Sequence, residues 1–166
     1  MFRKTAIAAL MAVGISGAAA AQDEGLVTFK IMNPDVAVEL AKAALESCRA
    51  GGFQVAVVVV DRFGNIQAAV RDRFGGPHTV ETARRKAWTS VSFRSDTLAL
   101  ADLSKAGQPQ SGVRFVDGAL MLGGGVPVEA AGSIVAGVGV SGAPTGEADD
   151  ACAREGIDAV IDQLEF

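Results

Sequence analysis

The sequence predicts an α+β domain, an antiparallel sheet of about five strands with helices packed on it. Three observations carry this. Phe53 to Val60 is continuously apolar and rich in β-branched residues, as a buried strand requires. Ile66 to Arg71 returns after Asp61-Arg62-Phe63-Gly64-Asn65, a turn in which Gly64 and Asn65 can take positive φ. Gly132 to Ser141 alternates glycine with valine and leads into a helix start at Thr145-Gly146-Glu147.

Taken in order, Gln22 to Met32 is a lead-in, extended at Leu26 to Ile31. Asn33-Pro34-Asp35 opens the first helix with an N-cap, a proline at the first helical position and an acid at the positive end of the dipole. Ala37, Leu40, Ala41, Ala44 and Cys48 share one face, and Gly51-Gly52 ends it. After the hairpin, Phe74-Gly75-Gly76-Pro77 breaks the sheet. His78 or Thr79 then caps a helix with Val80, Ala83, Ala87 and Val91 on its inner face. Ser95-Asp96-Thr97 starts a short helix to Lys105. A third strand is expected around Ala119 to Leu122, a tight turn at Gly123-Gly124-Gly125, and a return from Val126 to Ala130. The terminal helix carries Glu147, Asp149 and Asp150 in its first turn and turns Ala148, Ala151, Cys152, Ala159 and Val160 inward.

Residues 1–21 read as a secretory signal peptide: a basic start at Arg3-Lys4, an apolar run from Thr5 to Ile15, and small residues up to Ala21. That run is too short to span a bilayer comfortably, which takes about 20 residues. Residues 22–166 then form a single domain, expected in the periplasm or outside the cell. The chain has 19 acidic against 15 basic residues, and the leader would remove two of the bases. With no basic stripe and no tyrosine, nucleic acid is an unsuitable partner. Cys48 and Cys152 have no CxxC spacing and no neighbouring histidine, which argues against zinc. In an exported protein they suit a disulfide, and otherwise two buried thiols.

His78 is the only histidine and stands at a helix start after a loop. It can be an axial ligand to haem iron or a transition-metal ligand, or simply an exposed helix-start residue. Arg84, Arg85 and Lys86 are consecutive, so they fan around a helical turn and cannot all face one ligand. One of them can pair a propionate or carboxylate, and Arg84 can stack on Trp88 at i+4. Met32 and Met121 are candidate second haem ligands, with Met121 better suited to the core. Asp61 and Asp72 form a conceivable hydrolase pair, but turn capping explains both. No G-x-S-x-G elbow occurs, and the glycine triplet lacks the Lys-Ser/Thr that a phosphate loop needs. No constellation forces an enzyme assignment.

Four segments, VVVVDRFGN, ARRKAWTSVSFRSDT, GGGVPV and GVGVSGAPTGEADDACAREGIDA, occur in an order and spacing that resembles the GlcG/HbpS family of haem-binding-like proteins. The domain is also similar to the C-terminal part of some cobalamin adenosyltransferases. The resemblance spans roughly Pro34 to Leu164. It implies a profilin-like three-layer fold, assembly into homo-oligomers, and haem as cofactor in some members. Exported members resemble haem-sensing or haem-scavenging partners of a membrane sensor. Others lie beside the catabolism of glycolate-type acids or alcohols. The resemblance makes His78 the expected axial ligand and metal contact, with Arg84 and Lys86 as cofactor-binding cations. Two other readings remain: a small enzyme or accessory factor acting on a hydroxy-acid, and a cofactor-free oligomeric partner of a membrane sensor.

Overall fold

A computed structural model describes residues 25–164. The signal peptide expected at 1–21 lies outside the described residues. Four helices and four strands run α1 (Pro34–Ala50), β1 (Ala56–Asp61), β2 (Ile66–Arg71), α2 (Thr79–Phe93), α3 (Thr97–Leu103), β3 (Gly125–Ala130), β4 (Ser133–Ser141) and α4 (Gly146–Asp158). The sheet has the order β2-β1-β4-β3 and every pairing is antiparallel. The first strand and the last are therefore the central neighbours.

Local chemistry explains the boundaries. The Asn33 side chain accepts from the Asp35 amide at 3.0 Å, with Pro34 in the first turn. Asp61 closes the β1–β2 hairpin by accepting from the amides of Phe63 (2.8 Å) and Asn65 (2.9 Å), and Gly64 turns at φ 86°. Thr145 caps α4 by accepting from the Ala148 amide at 3.2 Å.

The sheet is the middle of three layers. On one face, Val55, Val57 and Val59 of the β1 region and Val138 and Val140 of β4 meet Leu40, Ala41, Ala44 and Leu45 of α1 and Ala153 of α4. The other face is smaller: Ala56, Val58 and Val60 meet Ala83, Ala87 and Val91 of α2. The period of two along β1 and the period of about 3.6 along the helices divide these sets. Cys48 and Cys152 are disulfide-bonded, with 5.4 Å between their Cα atoms, and join α1 to α4. Nearby, α4 presents Gly156 to α1, where a Cβ would stand 2.6 Å from the Ala44 Cβ. No helix among the described residues is long and apolar enough to cross a membrane.

Four strands form where about five were expected. Ala119 to Leu122 is not a strand, because its polar backbone groups are taken by α2. Arg85 donates to the carbonyls of Gly118 (3.3 Å) and Ala119 (2.5 Å), and Thr89 Oγ1 accepts from the Leu120 amide (2.9 Å). The glycine triplet is likewise not a hairpin. The β3–β4 turn is at Ala131-Gly132, both at positive φ (50° and 72°), as a two-residue type I′ connection requires. Gly123 and Gly124 instead let the chain pass close to α4, where a Cβ would stand 2.9 Å from the Gly146 carbonyl oxygen and 2.6 Å from the Asp149 Cβ respectively. Leu26 to Ile31 has no strand partner in the sheet.

Candidate functional site

Helix α2 is placed by close approach rather than by large side chains. Gly137 and Gly139 of β4 face it, and a Cβ on Gly139 would stand 2.7 Å from the Ala87 amide nitrogen and against the Ala83 carbonyl. This fixes the helix over β4 and brings its start beside the strand's end. His78, Thr82 and Lys86 are spaced i, i+4, i+8 and so lie in one line along α2. They border a cavity of about 380 Å³ whose other walls are Leu122, the Ser141–Gly146 segment and Asp149. That volume suits a small ligand, for which sites run to roughly 300–1,000 Å³.

The floor is a buried ion pair. Lys86 Nζ donates to Asp149 Oδ2 at 2.8 Å and to the Val140 carbonyl at 2.9 Å, and the two side chains are only 1% and 5% exposed. Burial pushes the Lys86 amine below the ordinary lysine range, while the Asp149 charge pulls it back. Burial likewise pushes the Asp149 carboxyl up, opposed by Lys86 and by the amides of Ala143 and Gly142. The Ala143 amide donates to Asp149 Oδ1 at 2.9 Å, so one carboxylate holds both the lysine and the loop before α4.

At the mouth, His78 is exposed, and its side chain makes no capping hydrogen bond. Its ring lies over Gly76, where a Cβ would stand 2.7 Å from Cε1. Thr79, rather than His78, makes the local side-chain contact, donating to the Gly76 carbonyl at 2.7 Å. The three consecutive cations diverge as their spacing requires. Arg84 forks onto Glu81 (2.7 and 2.8 Å), Arg85 reaches the 118–119 carbonyls, and Lys86 goes inward. Arg84 therefore does not border the His78 cavity, and Lys86 does.

Asp61 and Asp72 do not form a hydrolase pair. Asp61 serves its turn, and Asp72 accepts from Arg49 Nε at 2.7 Å and Nη2 at 3.2 Å. Met32 and Met121 are buried, so neither is available as a second haem ligand. Among the described residues no group of three or more His, Cys, Asp or Glu could hold a metal ion. Sequence reasoning missed Thr82, Ser141 and Asp149 as site residues. Thr82 was detectable as the residue one turn beyond His78, and Ser141 as the continuation of the Gly137, Gly139 face. The Asp149–Lys86 pairing has no sequence signal.

Comparison with known proteins places this arrangement. A family model described as haem degrading protein HbpS-like matches residues 32–158. The fold is similar to that of HbpS, with 39% identity, a TM-score of 0.77, and coverage of 85% of this chain and 98% of the other. A double mutant of Streptomyces reticuli HbpS is 36% identical, with a TM-score of 0.76 over 94% of this chain and 99% of that one. A PduOC–haem complex is 27% identical, with a TM-score of 0.73 over 78% of this chain and 94% of that one. No curated protein is similar enough to count as a match. With the matched span covering most of the described residues and the three-layer fold shared, the chain belongs to the HbpS-like family.

Proposed function

We propose that this protein binds haem, with His78 as the axial ligand. The observation that carries the reading is the solved haem complex of a relative with the same fold, met here by a single exposed imidazole at the mouth of a cavity. The donor set supports one protein ligand. Both cysteines are locked in the disulfide, both candidate methionines are buried, and Lys86 is held by Asp149 and Val140. Half-exposed Leu122, which borders the same cavity as His78, supplies apolar surface there. Bound haem would supply a redox-active iron. The chain's part is to present a neutral imidazole nitrogen and apolar contact. Arg84 is already paired with Glu81 and Lys86 with Asp149, so a propionate would share either cation with that carboxylate.

The physiological role we infer is that of an exported haem scavenger or sensor component, acting as a homo-oligomer. The signal-peptide pattern read in the sequence of residues 1–21 and the disulfide, a bond that forms and persists in oxidising compartments, support this.

A haemin titration followed by absorbance tests the reading. Wild-type protein is expected to give a saturable, sharp Soret band, and His78→Ala to lose it. An identical, non-saturating change in both proteins overturns ligation by His78. Carrying the complex into peroxide separates two roles: a carrier keeps its Soret band, and a haem-degrading protein, as the family is described, bleaches it.

A further inference from the structure

We propose that the cavity between the start of α2, the end of β4 and the start of α4 binds a small organic oxyanion, a carboxylate or a phosphate, with Ser141 and Thr82 reading an adjacent polar group. The inference does not rest on haem.

The first observation is Ser141. It is 5% exposed and borders the cavity, and its hydroxyl has no hydrogen-bond partner among the described residues. The oxygen is not sealed from solvent, so the hydroxyl opens on the cavity with its donor and lone pairs unspent. Its direction is fixed by the sheet. Gly137 and Gly139 face α2, and the period of two puts the Ser141 side chain on that same face, beyond Gly139 and towards the start of the helix. It shares the cavity lining with Thr82, whose Oγ1 donates to the His78 carbonyl at 3.0 Å and keeps its lone pairs for another donor. Ser141 and Thr82 thus offer a donor and acceptors to one small polar group.

The second observation is the positive character of the rest of the lining. Helix α4 begins at the cavity with Thr145 and Gly146. Thr145 takes the Ala148 amide, which leaves the amides of the first turn pointing out of the helix end with the positive pole of its dipole. Asp149, the one acid in the lining, has its charge spent on Lys86 Nζ and the Ala143 amide. Lys86 uses two of its three donors on the Val140 carbonyl and Asp149 and retains one. His78 supplies an imidazole at the mouth. An anion entering this cavity meets donors on three sides and no unpaired carboxylate.

The test uses the full disulfide-bonded protein, labelled for amide NMR, and titrates acetate, L-lactate and inorganic phosphate separately. The expected result is a saturable shift of the amides of residues 142–147 and 78–86 with at least one probe. Ser141→Ala and Thr82→Val should each weaken that probe about tenfold, as loss of a hydrogen bond to a charged or closely held ligand does. Lactate stronger than acetate identifies a hydroxy-carboxylate, and phosphate stronger than both identifies a phosphate ester. No saturable shift with any probe overturns the proposal, as does a shift that both variants leave unchanged. The spectra themselves report that the variants are folded. Haem ligation is read separately from the Soret band, which Ser141→Ala should not alter, so either reading can fail without the other.

Discussion

One face of the sheet is held by bulk and the other by proximity. Under α1 and α4, valines and leucines interlock, and a disulfide ties the two helices. Under α2 the contact is made where side chains are missing, at Gly137 and Gly139 against Ala83 and Ala87. The first arrangement tolerates modest adjustment, because methyl groups can repack. The second fixes α2 against the backbone of β4, and with it the line of His78, Thr82 and Lys86. The site sits on the face where position is set by backbone and not by packing volume.

The largest expected effect tests the bulky face. Replacing both cysteines by serine should cost about 4–5 kcal/mol in the chain-entropy account of a loop of about 100 residues, less any strain relieved. Urea unfolding with and without reductant measures it. A loss below about 1 kcal/mol would show that the valine core alone holds α1 to α4.

Asp149→Asn should cost about 3–5 kcal/mol, because it strands a buried lysine. The double change Lys86→Met with Asp149→Leu should recover much of that loss. If the single change is tolerated, the floor of the cavity is wetter than its burial implies. Gly139→Ala comes next, at about 3 kcal/mol, since the new methyl meets the Ala83 carbonyl and the helix must move. It should also shift the amides around His78, whereas Ala153→Gly on the opposite face should leave them in place.

The smallest expected effect is acid sensitivity. Hydrogen bonding from Arg49 holds the Asp72 carboxyl below the usual aspartate range. Burial raises Asp61, but hydrogen bonds from Asn65, Phe63 and Gly64 outweigh it and lower it overall. A carboxyl depressed on folding stabilises fully above its unfolded value, about 3.9. It loses that contribution as pH falls through its lower folded value. Thermal melts should therefore be flat from neutrality down to about pH 5 and fall below about pH 4, and Asp72→Asn should flatten the drop.

Much of the fold was legible because its signals are local. The apolar run to Val60, the Asp61 turn and the Asn33-Pro34 start each declare themselves within a few residues. The divergence of Arg84, Arg85 and Lys86 followed from helical geometry alone. What misled was glycine. A GGG run signals either a turn or a place where another element comes close, and only the position of α4 tells which. Ala119 to Leu122 has the apolar look of a strand, yet Arg85 and Thr89 claim its backbone. The pairing of Lys86 with Asp149 joins positions 63 residues apart, and nothing near either residue announces it.

The order of the chain has a consequence for the timing of synthesis. The central strand pair joins β1 to β4, and Cys48 waits for Cys152, which lies near the end of the chain. Neither half of the polypeptide can complete its core alone. Until the last helix emerges, the growing chain keeps β1 without its β4 neighbour and Cys48 as a thiol. A domain with this order closes its core only when β4 and α4 arrive, so β1 and Cys48 wait longest for their partners.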